Sequence, residues 1–178
     1  MLNKLIAAAL GATLSFATGP LLATSADAAS TMKPKATMAQ KVFIGEAMMG
    51  SNSEVALGQL ASEKGGSDKV KSFGQMLVTD HNQAKTDLMP IAQDMGVAAT
   101  DKMEPAASAE MKKLQGLSGA AFDKEFAAFM VKDHKEAIAK FQREAKGKGA
   151  LAEFAGKTLP TLQKHLDEAN SLTMASNG

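Results

Sequence analysis

Apolar positions in this chain return every three to four residues, and no stretch alternates with period two, so the pattern predicts helices and no strands. A first helix is expected from about Met38 to Lys64, ended by Gly65-Gly66, and Ser67 is a good N-cap for a second that runs to about Met95. The long connection from Gly96 to Gly119 holds Pro105 and a short candidate helix, Ser108 to Leu114. Ser118 then caps a helix from about Ala120 to Lys146, stopped by Gly147-Lys148-Gly149, and the last helix spans Ala150 to about Met174. Pro90 and Pro160 should kink their helices, because each removes a backbone donor and crowds the preceding turn. Gly45, Gly50 and Gly58 each cost roughly 1 kcal/mol of helix propensity, and their expected use is the close approach of a neighbouring backbone. Four long helices with short 1–2 and 3–4 connections and a long 2–3 connection predict an all-α four-helix bundle.

One twelve-residue pattern occurs twice, at Phe73–Ala84 and Phe126–Ala137: Phe, two spacers, two large apolar residues, Val, a spacer, Asp-His, two spacers, Ala. Counting by three and four from His81 reaches Gly74, Leu77, Val78, Ala84 and Leu88; from His134 it reaches Ala127, Met130, Val131, Ala137, Ile138 and Phe141. His165 sits in the same way among Ala155, Thr158, Leu162, Ala169 and Leu172. All three histidines are therefore expected to face a core. Asp80 and Asp133, about 100° round the helix from their histidines, fall at the edge of the apolar stripe.

Depth makes this a constellation. Measured from the short connections, Glu54, His81, His134 and His165 lie about 17 to 26 Å deep at 1.5 Å per residue, near the middle of each helix. One inward metal-capable side chain per helix at similar depth is how helical bundles build metal sites. Three neutral imidazoles and a carboxylate suit Zn, Cu, Fe or Mn. Asp80 and Asp133 are expected to support the ligands, receiving a ring N–H from an adjacent helix or binding lysine and solvent. Asp123, three turns before His134 on the same face, is a further candidate ligand. The competing reading is a core whose histidines and acids form a buried hydrogen-bond network. Met48, Met49, Met76, Met89, Met95 and Met130 read as core filler.

Composition narrows the classes of function. Lys4, the small apolar run Leu5 to Leu22 and Ala26-Asp27-Ala28 read as a signal peptide over 1–28, with a disordered leader over 29–37 and the bundle over 38–174. No cysteine follows, so neither a lipoprotein anchor nor a disulfide is expected, and the periplasm is the expected location. Net charge is +1, which argues against nucleic acid, and no membrane span is expected in the mature chain. Twelve methionines with three histidines and no cysteine also permit copper. No nucleophile, phosphate loop or flavin motif is present to point to turnover.

Phe43 to Ala61 (FIGEAMMGSNSEVALGQLA), Val70 to His81 (VKSFGQMLVTDH), Ala121 to His134 (AFDKEFAAFMVKDH) and Leu159 to Ala169 (LPTLQKHLDEA) resemble the exported bacterial family called domain of unknown function 4142. The resemblance spans nearly all of the expected mature chain and implies a ferritin-like bundle in the bacterial envelope, with no established reaction. The di-iron ligand set needs a Glu from two helices and Glu-x-x-His from the other two. Here Val78, Val131 and Leu162 stand three residues before the histidines, so ferroxidase chemistry is not expected. The sequence thus points to a periplasmic bundle that binds one transition-metal ion through Glu54, His81, His134 and His165, for metal handling or stress protection. The alternative is a non-catalytic envelope structural or interaction module built on a buried histidine network.

Overall fold

A computed structural model describes residues 36–175. The expected signal peptide and all but the end of the expected leader lie outside them. The described chain is all-α, with five helices: α1 (Met38–Lys64), α2 (Asp68–Asp94), α3 (Pro105–Gln115), α4 (Gly119–Glu144) and α5 (Ala150–Ala175). The last two residues of the expected leader belong to the fold. Ala36 is buried, and Thr37 closes a capping box with Gln40 that satisfies two of the orphan N–H groups at the start of α1.

Ser67 caps α2 through the Val70 N–H, as its position implies, whereas the Ser118 side chain makes no capping bond to α4. The short helix begins at Pro105, three residues earlier than expected. Proline suits the first turn, where its missing N–H leaves nothing unpaired. Both α2 and α5 run on through their exposed prolines, Pro90 and Pro160. None of the helices among the described residues is long and apolar enough to cross a membrane.

The start of α4 lies beside the α1–α2 turn. Gly65 and Gly119 form a backbone bridge, the Gly66 N–H donates to Asp123 Oδ1 at 2.6 Å, and Lys64 Nζ donates to the Gln115 carbonyl. A Cβ on Gly66 would stand 2.6 Å from the Gly119 backbone, so this junction requires glycine. Helix α4 consequently runs in the direction of α2, and the long connection carries the chain the full length of the molecule. On its way it is pinned to α1, with Asn52 Nδ2 donating to the carbonyls of Thr100 (2.8 Å) and Lys102 (3.1 Å) and the Glu104 N–H donating to Ser53 Oγ (2.9 Å). The short α3 then packs on α1 and α4, and Lys113 pairs with Glu125.

Two apolar clusters fill the interior. One, towards the α1–α2 turn, is built on Leu57, Phe73, Leu77, Phe126 and Met130; the other, at the opposite end, on Phe43, Ile44, Leu88, Phe141 and Phe154. Between them each long helix contributes one buried titratable side chain. Along α1 the order is Met48, Glu54, Leu57; along α2 Leu77, His81, Leu88; along α4 Met130, His134, Ile138; along α5 Leu162, His165, Ala169. The fold is two hydrophobic halves with a polar layer at the join.

Candidate metal centre

Each member of that layer stands on a rigid helix with an apolar residue one or two turns to either side, which holds it in place. His165 is 0% exposed, His134 1%, Glu54 2% and His81 7%. The imidazole rings converge, with centroids 6.0 Å apart for His81 and His134, 5.4 Å for His81 and His165, and 5.3 Å for His134 and His165. One nitrogen from each of the three histidines lies within 4.8 Å of the others.

Hydrogen bonds assign the neutral tautomers. His134 Nδ1–H donates to the Met130 carbonyl at 3.0 Å, leaving Nε2 as a lone pair. His165 Nε2–H donates to Asp80 Oδ2 at 2.8 Å, leaving Nδ1 as a lone pair. Those two bare nitrogens face one another at 3.3 Å, and His81 Nε2, buried beside them, has no hydrogen-bond partner. Two lone pairs at that distance repel unless a cation stands between them. A proton on one ring would serve, but the site opposes it. Burial, then the neighbouring His165, holds His134 down to about 3, and burial followed by the other two rings holds His81 well below the usual range. His165 is lowered by burial too, although Asp80 works against the shift. A divalent metal ion satisfies all three nitrogens. At Zn–N distances of about 2.0–2.1 Å, tetrahedral ligand nitrogens stand about 3.3 Å apart.

Glu54 does not complete this set. Its carboxylate groups instead with Asp133 and His134, again with one ligand atom from each within 4.8 Å. The expected four ligands are therefore divided, with Asp133 as a fifth residue, between two triads that share His134. Both Glu54 oxygens are buried without a hydrogen-bond partner. Burial first, then the negative charge of Asp133 and a hydrogen bond shared with it once protonated, raise Glu54 well above the ordinary carboxylate range; burial raises Asp133 as well, against the opposing effect of that hydrogen bond. Asp80 supports His165 from across the α2–α5 interface. Asp123 joins neither triad: its carboxylate accepts from the Gly66 N–H at the α1–α2 turn, about 16 Å along α4 from His134.

A small pocket, with a cavity volume of about 50 Å³, opens between α1 and α4 onto Glu54, His81 and His134. Glu104 reaches this mouth from the connection before α3, a residue that helical periodicity could not single out. The available signal was the buried polar run Ser51-Asn52-Ser53-Glu54 on an otherwise apolar stretch, two of whose members hold that connection.

A family model described as "Domain of unknown function (DUF4142)" matches residues 24–172. No curated protein matches the chain. Among solved structures, a crystal structure of a DUF305 fragment from Deinococcus radiodurans is similar, with a TM-score of 0.71 at 14% identity over 80% of this chain and 99% of that one. At that identity the likeness is one of fold alone.

Proposed function

The chain belongs to the DUF4142 family, and because that membership assigns no activity, we propose from the site that it is a ferritin-like four-helix bundle of the bacterial periplasm that holds one transition-metal ion for metal handling or stress protection. His81, His134 and His165 are the ligands, and Glu54 faces the ion from the pocket side. The observation that carries the reading is the pair of opposed lone pairs, His134 Nε2 and His165 Nδ1, with the unpartnered His81 Nε2 beside them. Imidazole nitrogen favours Zn, Cu, Fe or Mn over harder, oxygen-seeking ions.

The test is metal analysis of untagged mature protein beside His81→Ala and His134→Ala. About one equivalent in the wild type, lost in both variants, supports the centre; unchanged metal content and melting temperature in the variants remove it.

A second reading has its own support. Met130 O, His134, His165 and Asp80 form a continuous buried chain of contacts, which a purely structural histidine network in an envelope interaction module would also use. That module would respond to pH and not to chelator.

A further inference from the structure

We propose that Glu54, Asp133 and His134 form a loading position for a divalent metal cation on the α1–α4 side of the other two histidines, with Glu104 at its mouth, occupied before the ion reaches all three ring nitrogens. The inference rests on the metal-binding reading and adds a second coordination position and a direction of travel.

Three observations carry it. First, Glu54 is 2% exposed, lines the pocket, and neither of its oxygens meets a donor. Apposed to Asp133 in a buried site, the two carboxylates must share a proton or hold a cation between them, and a metal ion bound there takes the proton's place. Second, His134 belongs to both triads. An ion bound by Glu54, Asp133 and His134 can pass to His81 and His165 without letting go of His134. The gradient runs inward, because imidazole holds late first-row divalent ions more strongly than carboxylate does. Third, the mouth is acidic by construction. Glu46, Glu104 and Glu136 line it with Asp133, against the single Lys140, which lies 3.4 Å from Glu46 and 3.8 Å from Glu104. Glu104 is held there by its own N–H to Ser53, the residue next to Glu54. A narrow mouth lined by one sign of charge concentrates the opposite ion.

The experiment is stopped-flow loading of the metal-free protein with Co²⁺, followed by visible absorption. The wild type should load in two phases, a weakly absorbing oxygen-rich species that converts to an intense nitrogen-rich tetrahedral spectrum. Asp133→Asn should lose the first phase and load about 10-fold more slowly. Glu104→Gln, a change on the partly exposed connection that spares the core, should slow loading and weaken its dependence on salt. His81→Ala should keep the first phase and lose the second. Single-phase loading at a rate that both carboxylate variants leave unchanged overturns the loading position and leaves the histidine centre standing. A wild type that takes up no cobalt overturns the centre, and the loading position with it.

Discussion

Gly58 of α1 and Gly74 of α2 meet backbone to backbone. A Cβ on Gly58 would stand 2.6 Å from the Gly74 carbonyl oxygen, and a Cβ on Gly74 would stand 2.5 Å from that of Gly58. The contact lies one turn from Glu54 and two turns from His81, so it sets how far apart the two helices hold those side chains. Gly58→Ala and Gly74→Ala must push backbone against backbone, and each should cost about 1–3 kcal/mol. Gly45 is the control. Nothing lies within 4 Å of a Cβ built there, so Gly45→Ala should stabilise by up to about 1 kcal/mol through helix propensity. Urea midpoints of the three variants check both signs.

Acid should destabilise the metal-free protein through its histidines. Their folded pKa values lie below the unfolded value of about 6.5, so below that pH the unfolded chain takes up protons that the folded one refuses. Their contribution is complete above about pH 6.5 and is lost as pH falls, down to about 3 for His134. Glu54 acts in the opposite sense. Its raised folded pKa makes the ionised carboxylate a cost at neutral pH, relieved as the pH falls towards the ordinary range near 4.3. Glu54→Gln should therefore stabilise the metal-free protein at pH 7.5, by something of the order of 1 kcal/mol, and steepen its loss of stability between pH 6.5 and 4.3. Melting curves in chelator across that range check both.

Much of this was legible because helix ends and helix faces are local. Gly65-Gly66, Ser67 and Gly149 mark boundaries by backbone chemistry, and counting by three and four places each histidine inward. Depth and direction are not local. Asp123 shares the inward face of His134, yet phase carries no information about which partner meets it three turns away, and that partner proved to be a turn. The direction of α4 was open because His134 lies near its midpoint, and the contacts of the α1–α2 turn with Gly119 and Asp123 decide it. Gly45, Gly50 and Gly58 look alike in sequence. Azimuth separates them: only Gly58 faces another backbone, while Gly50 faces the Glu104 side chain at 3.8 Å. Glu104 itself sits on a connection without periodicity, placed by three bonds to Asn52 and Ser53 that no pattern announces.

Removing metal should lower the melting temperature in a way that pH alone does not mimic. An ion present at a hundred times its dissociation constant stabilises by about 2.7 kcal/mol. For a domain of this size that is roughly 5–10 °C. Chelator at pH 7.5 should remove that increment from the wild type and leave His134→Ala unaffected. A wild type indifferent to chelator at pH 7.5, but unstable at pH 5, would favour the structural histidine network.

Asp80 offers the sharpest test, because it reaches the centre only through His165. Its carboxylate accepts the Nε2 proton at 2.8 Å, which keeps Nδ1 bare and facing His134 Nε2. In Asp80→Asn the side-chain amide can turn its NH2 towards Nε2, and the ring then carries its proton on Nδ1. That proton points at His134 Nε2 across 3.3 Å and closes a hydrogen bond where two lone pairs had opposed each other. The metal-free variant should melt no lower than the wild type. Metal must displace that proton, and the ring has lost the carboxylate that raises its basicity, so affinity should fall about 10- to 100-fold. Competition titration with a chromophoric chelator, beside melting curves of the metal-free proteins, reads both effects. Unchanged affinity in Asp80→Asn would show that Asp80 does not set the His165 tautomer.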